Sequence, residues 1–179
     1  MKYAIYIFAI LSLWHFAYEA ILLPSIRLCL RFRLFVLRDR LRWLKVQYDK
    51  ELSNEVFEYL QGGINNWLRL LPYVDFELVL RVHEAIEADG DLKQRIESRA
   101  ASVAACPVAD AREICKAVQK VAEDTLSANS GAWTIYLLPL ALAARFLASI
   151  KRKVQQLVSL PEADVDRVVQ LARPSLAFA

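Results

Sequence analysis

Few residues in this chain are of a type and spacing that could do chemistry. His15 and Glu19 stand four apart inside an apolar run, so a helix stacks them on one face. A polar pair there could line an aqueous path or meet another helix, or could simply reach the headgroups at the end of the run. His83 lies among Val79, Leu80 and Ile86 and reads as a partly buried core histidine. With no Cys–His spacing, the two histidines make no local zinc site. Cys29, Cys106 and Cys115 are odd in number and lack CxxC spacing, which reads as reduced packing residues facing a cytosol. No phosphate loop, GxGxxG, GxSxG or HExxH occurs. An RxxxxH nuclease motif ending at His83 needs arginine where Leu78 stands. Glu84, Glu87 and Asp91 fit an ordinary exposed acidic helix face. The chain is therefore not expected to be an enzyme, and no catalytic residue, metal or cofactor is assigned.

The elements that would position these residues are helical. The 179 residues are 56% apolar with only four glycines, which excludes disordered and collagen-like classes. Tyr3 to Leu23 contains one acid, one histidine and no base, enough to cross about 30 Å of hydrocarbon as a helix. Competing readings are a signal peptide, weakened by the single Lys2 and the lack of a small-residue cleavage site, and a buried helix. A basic collar follows the run, so the positive-inside rule puts the amino terminus outside and everything after Pro24 in the cytosol.

Between Arg27 and Lys45 the collar has seven basic residues and one acid, Asp39. On a helix Arg27, Arg31, Arg38, Arg42 and Lys45 share one stripe, with Arg33 and Arg40 nearly opposite. Such a stripe suits anionic headgroups, a pore vestibule or nucleic-acid phosphates. Nucleic acid is not expected, because no aromatic-interleaved signature accompanies the charge.

The expected fold is all-α: an N-terminal transmembrane helix over residues 1–24, a basic juxtamembrane helix over 25–60, and a small cytosolic helical bundle over 61–179. Gly62-Gly63 and Pro72 read as helix stops. Asp75 opens a helix whose apolar face is Phe76, Val79, Leu80, His83 and Ile86. Asp91 with Gln94, Asp110 with Glu113, and Ser159 with Glu162 read as capping boxes, the last starting a helix through Val165, Val168, Val169 and Ala172. The apolar stretch 132–150 reads as the central helix of the bundle, with Thr134, Ala141 and Ala148 as a close-packing seam, or as a second span.

The order of anchor, LRFRLFVLRDRLRWL from Leu30 to Leu44, and small helical domain resembles small bacterial membrane proteins found beside antiviral systems. Among these is the CRISPR-associated accessory membrane protein family that accompanies type VI-B effectors. The resemblance implies a homo-oligomeric pore in a bacterial inner membrane, with Glu19 and the basic collar near a permeation path. The chain departs from such proteins in lacking any RxxxxH remnant. The expected partners are the lipid bilayer and further copies of the chain. The alternative function is a membrane-tethered module whose acidic region, Asp75, Glu77, Glu84 and Glu87, docks a soluble partner.

Overall fold

A computed structural model describes residues 2–131 together with 153, 154, 158, 164, 165, 168 and 169. The described residues are helical throughout apart from short connections, with no strand among them. The helices are α1 (Lys2–Ala17), α2 (Leu23–Gln47), α3 (Asn54–Leu70), α4 (Phe76–Ala88), α5 (Gly90–Ala104) and α6 (Ala109–Asn129), with a π turn over Tyr18–Leu22 joining the first two. No helix among the described residues is long and apolar enough to cross a membrane. α1 by itself spans about 24 Å at about 1.5 Å per residue.

Between α1 and α2 the chain does not leave helical conformation. Ala17, Leu22 and Leu23, at the joints, all keep right-handed helical backbone angles. The π turn has a local cause. Pro24 cannot donate to the carbonyl of residue 20 and its ring crowds that carbonyl, so the turn before it widens. The Leu23 amide instead donates to the Tyr18 carbonyl, five residues back.

Below the π turn, α2 buries Leu30, Leu34, Leu41 and Leu44. This face packs on α6 and, less extensively, on α3. Spaced four, seven and three apart, the leucines form one helical stripe. A single core joins them to Trp67 and Ile64 of α3, Val79 and Ile86 of α4, Ile96 of α5, Ile114 and Val118 of α6, and Val154, Val158, Val165, Val168 and Val169. The long helix and the bundle therefore share one interior.

Several boundaries differ from the sequence expectation. The basic helix ends at Gln47, and residues 48–53 turn the chain into α3. Gly62 and Gly63 do not stop α3. They lie buried within it, and a Cβ on Gly63 would come to 3.3 Å from the Val158 carbonyl oxygen. Glycine serves there for close backbone approach, not as a terminator. Asp75 caps α4 as expected, accepting from the Leu78 amide at 2.8 Å. The buried face of α4 is Leu78, Val79, Val82 and Ile86, rotated from the one anticipated. α5 is capped by Asp89, which accepts from the Leu92 amide at 3.0 Å, rather than by Asp91. α6 has no side-chain cap, because Val108 holds the capping position and Asp110 is turned to α2 instead. Ala172, the Ser159–Glu162 box and the stretch 132–150, with Thr134, Ala141 and Ala148, lie outside the described residues.

Candidate functional site

The feature that sets this molecule apart is what surrounds α1. Ile5, Tyr6, Ile7 and Phe8 are consecutive, so at 100° per residue they point all round the helix, and all four are exposed. Ile5, Phe8 and Leu13 are each 69% exposed. An all-round apolar helix belongs in a protein core or in lipid. Among the described residues, none buries it.

His15 and Glu19 form the polar interruption on this surface. The His15 Nε2 lies 3.4 Å from the Glu19 Oε1, and both side chains are about half exposed, at 44% and 57%. Ser12 lies on the same side one turn earlier. The face Ser12–His15–Glu19 is therefore self-paired but open.

At the π turn the bundle grips the long helix. The Tyr18 hydroxyl donates to the Ala128 carbonyl at 2.7 Å. Gly131 sits so close to Tyr18 that any Cβ there would collide with the hydroxyl. Nine residues further along the helical path, Arg27 Nε donates to the Asn129 Oδ1 at 2.9 Å. The same Asn129 donates its amide to the carbonyls of Leu71 and Val74 at 2.9 and 2.6 Å. One side chain thus ties α2, α6 and the α3–α4 connection together. Sequence reasoning missed both Tyr18 and Asn129, whose bonds, to Ala128 and to Arg27, each cross more than a hundred residues and leave no spacing signal.

The basic stripe divides into residues the fold uses and residues it leaves outside. Arg27 is engaged by Asn129. Lys45 donates to the carbonyls of Asp49 and Leu52, closing the turn after α2. Arg38 is half-buried over the Phe35 ring at 5.0 Å, with its Nε 3.8 Å from the Asp39 carboxylate. Arg31 faces the same ring at 5.8 Å and is exposed. Arg42 is exposed and makes no ion pair among the described residues. Arg33 and Arg40, set apart from the stripe by the sequence pattern, turn out to clamp α6. Arg33 reaches Asp124 at 3.1 Å, and Arg40 reaches Asp110 at 2.8 Å and Glu113 at 3.4 Å. These pairs step down α2 as they step back along α6, so the two helices run antiparallel.

The acidic region is largely occupied within the fold. Asp75 caps α4, Glu77 pairs with Arg81 at 2.7 Å, and Glu87 with Lys93 at 2.6 Å, leaving Glu84 exposed. His83 is half-buried on α4. Among the cysteines, Cys106 is buried and Cys115 partly so, but Cys29 is exposed on α2 and does not pack the core as expected. Burial pushes the Cys115 thiol above its usual range. Among the described residues no group of three His, Cys, Asp or Glu side chains could hold a metal ion. An open cleft of about 520 Å³ beside Asp89, Asp91 and Asp164 has two of these three carboxylates engaged, Asp89 as a cap and Asp164 with Arg95 at 3.3 Å. Compared with protein-family models, with curated proteins and with solved structures, the chain matches none.

Proposed function

We propose that the chain is a non-enzymatic, self-associating membrane protein that perturbs or permeabilises a bacterial inner membrane. The observation that carries this reading is the exposed, all-round apolar surface of α1. α1 alone falls short of a bilayer, but its helical path continues through the π turn to Leu23. Tyr3 to Leu23 along that path covers about 30 Å, the thickness of the hydrocarbon layer. Arg27 and Arg31 follow directly and suit the anionic cytosolic leaflet, with the bundle on the same side. His15 and Glu19 then lie within the layer. An ionisable pair there is stable where it meets another polar surface or water, and a ring of copies supplies both. A role as an antiviral accessory rests on the resemblance of the anchor, the Leu30–Leu44 segment and the helical domain to the type VI-B-associated proteins.

The test has two parts. Detergent-extracted full-length protein should run as a discrete multimer by light scattering, and a clean monomer would reject self-association. Reconstituted into liposomes, the protein should release a trapped ion, and Glu19→Gln should reduce that flux. Vesicles that stay sealed would favour a tether whose bundle docks a soluble partner.

A further inference from the structure

Along the side of α2 turned away from its buried leucines run Cys29, Phe32, Val36, Asp39, Trp43 and Val46, all exposed. Their spacings are three, four, three, four and three, the repeat with which one helix presents a continuous seam to another. Phe32 is 58% exposed, Val36 67%, Trp43 60% and Val46 84%, a row of large apolar groups that the fold leaves in the open. The geometry points to an interface: α2 of a second copy of this chain packs along this seam, parallel and in register. The inference rests on the self-association proposed above and names the surface that carries it.

Charge complementarity singles out this partner. Asp39 is the only acid in α2 and sits inside the seam, 69% exposed, with Arg38 of its own chain at a loose 3.8 Å. In a parallel, in-register pair the Asp39 side chain inserts beside position 40 of the other helix, with position 42 on the flank. Arg40 is held by Asp110 and Glu113 of its own chain, whereas Arg42 is exposed and makes no ion pair among the described residues. Each copy therefore supplies both the acid and, in Arg42, a base to answer it. Alignment residue for residue sets Arg42 of the other copy on the flank of each Asp39, and its charge offsets the repulsion between the two acids. A flat lipid surface would instead have to desolvate the carboxylate without returning a partner. Parallel packing also follows from the anchors, which enter one membrane from one side.

Cys29 lies at the first seam position and reports on the packing directly. In the proposed pair the two Cys29 residues face each other, within the Cα separation that a disulfide needs. Full-length protein in membranes, treated with copper–phenanthroline, should give a dimer on a non-reducing gel that is lost in Cys29→Ser. Placed in that Cys29→Ser background, Val36→Cys should restore the cross-link, and Glu84→Cys on the exposed side of α4 should not. An antiparallel pair would hold the Cys29 residues far apart and give no product. Asp39→Arg should abolish the multimer while the helical circular dichroism and the membrane association stay unchanged. A multimer that persists while Cys29 and Val36→Cys fail to cross-link would overturn the seam and leave self-association standing. A monomer in every preparation would overturn both.

Discussion

Above and below the π turn, one continuous helical path meets opposite fates. α2 has a covered side, where Leu30, Leu34, Leu41 and Leu44 disappear against α6 and α3, and Arg33 and Arg40 fasten its flank to carboxylates of α6. α1 has no such side, and its large apolar residues other than half-buried Leu11 stay exposed all round. Both segments carry many large apolar residues, but α2 interleaves them with seven bases and one acid, whereas α1 carries Lys2 alone. The charges recur so that one leucine stripe of α2 is left for the chain to cover, whereas α1 has only Ser12 and His15, continued by Glu19 in the π turn, as a polar face. On the proposed reading the first helix meets an outside apolar medium, while the second meets its own bundle.

The comparison sharpens if substitutions on the two sides of α2 are set against each other. Leu34→Ala, on a fully buried side chain, should destabilise the fold by about 2–5 kcal/mol in a urea titration of protein diluted to single copies in micelles, whereas Phe32→Ala on the open side should change the folding of that single copy by less than about 0.5 kcal/mol and weaken only the multimer. Equal losses in the single copy would mean that the chain covers this side itself. Next in size is the clasp at the π turn. Asn129→Asp keeps the shape but turns a donor into an acceptor facing the Leu71 and Val74 carbonyls, which should cost about 2–3 kcal/mol despite the closer charge on Arg27. No measurable loss would show that the clasp does not hold the bundle to the helix. Arg40→Ala removes pairs with Asp110 and Glu113 that are largely solvent-exposed, and should cost at most about 1 kcal/mol, less at high salt. The smallest effect concerns thiol reactivity. Because burial raises the Cys115 pKa, its thiolate is scarce at neutral pH, and its alkylation should lag that of exposed Cys29 and gain speed only as the pH climbs past the ordinary thiol range. Mass spectrometry of a maleimide time course would show the order reversed if α2 rather than α6 carried the shielded thiol.

Local signals carried the helical class, the cap at Asp75, and the burial of Ile114, Val118, Val165, Val168 and Val169, since each follows from periodicity or from the residue's own backbone. What depends on a distant neighbour was not legible. Gly62-Gly63 looks like a helix stop until Val158 is seen to approach it. Arg33 and Arg40 look like strays from a basic stripe until Asp124, Asp110 and Glu113 are brought alongside. The stripe itself came apart because Arg27 and Lys45 serve the fold while Arg31 and Arg42 do not. Of the candidate site, the His15–Glu19 pairing was readable from the spacing of four. The π turn beside it needed the steric consequence of Pro24.

The central claim is that the surface of α1 is covered by lipid, and alkaline carbonate extraction of membranes from cells expressing the full-length chain tests it most directly. The account predicts that the wild-type protein stays in the pellet and that Leu13→Lys, which places a charge within the layer at a cost of about 3 kcal/mol, moves a substantial fraction into the supernatant with its helical content intact. Recovery of intact wild-type protein in the supernatant, without detergent, would contradict it.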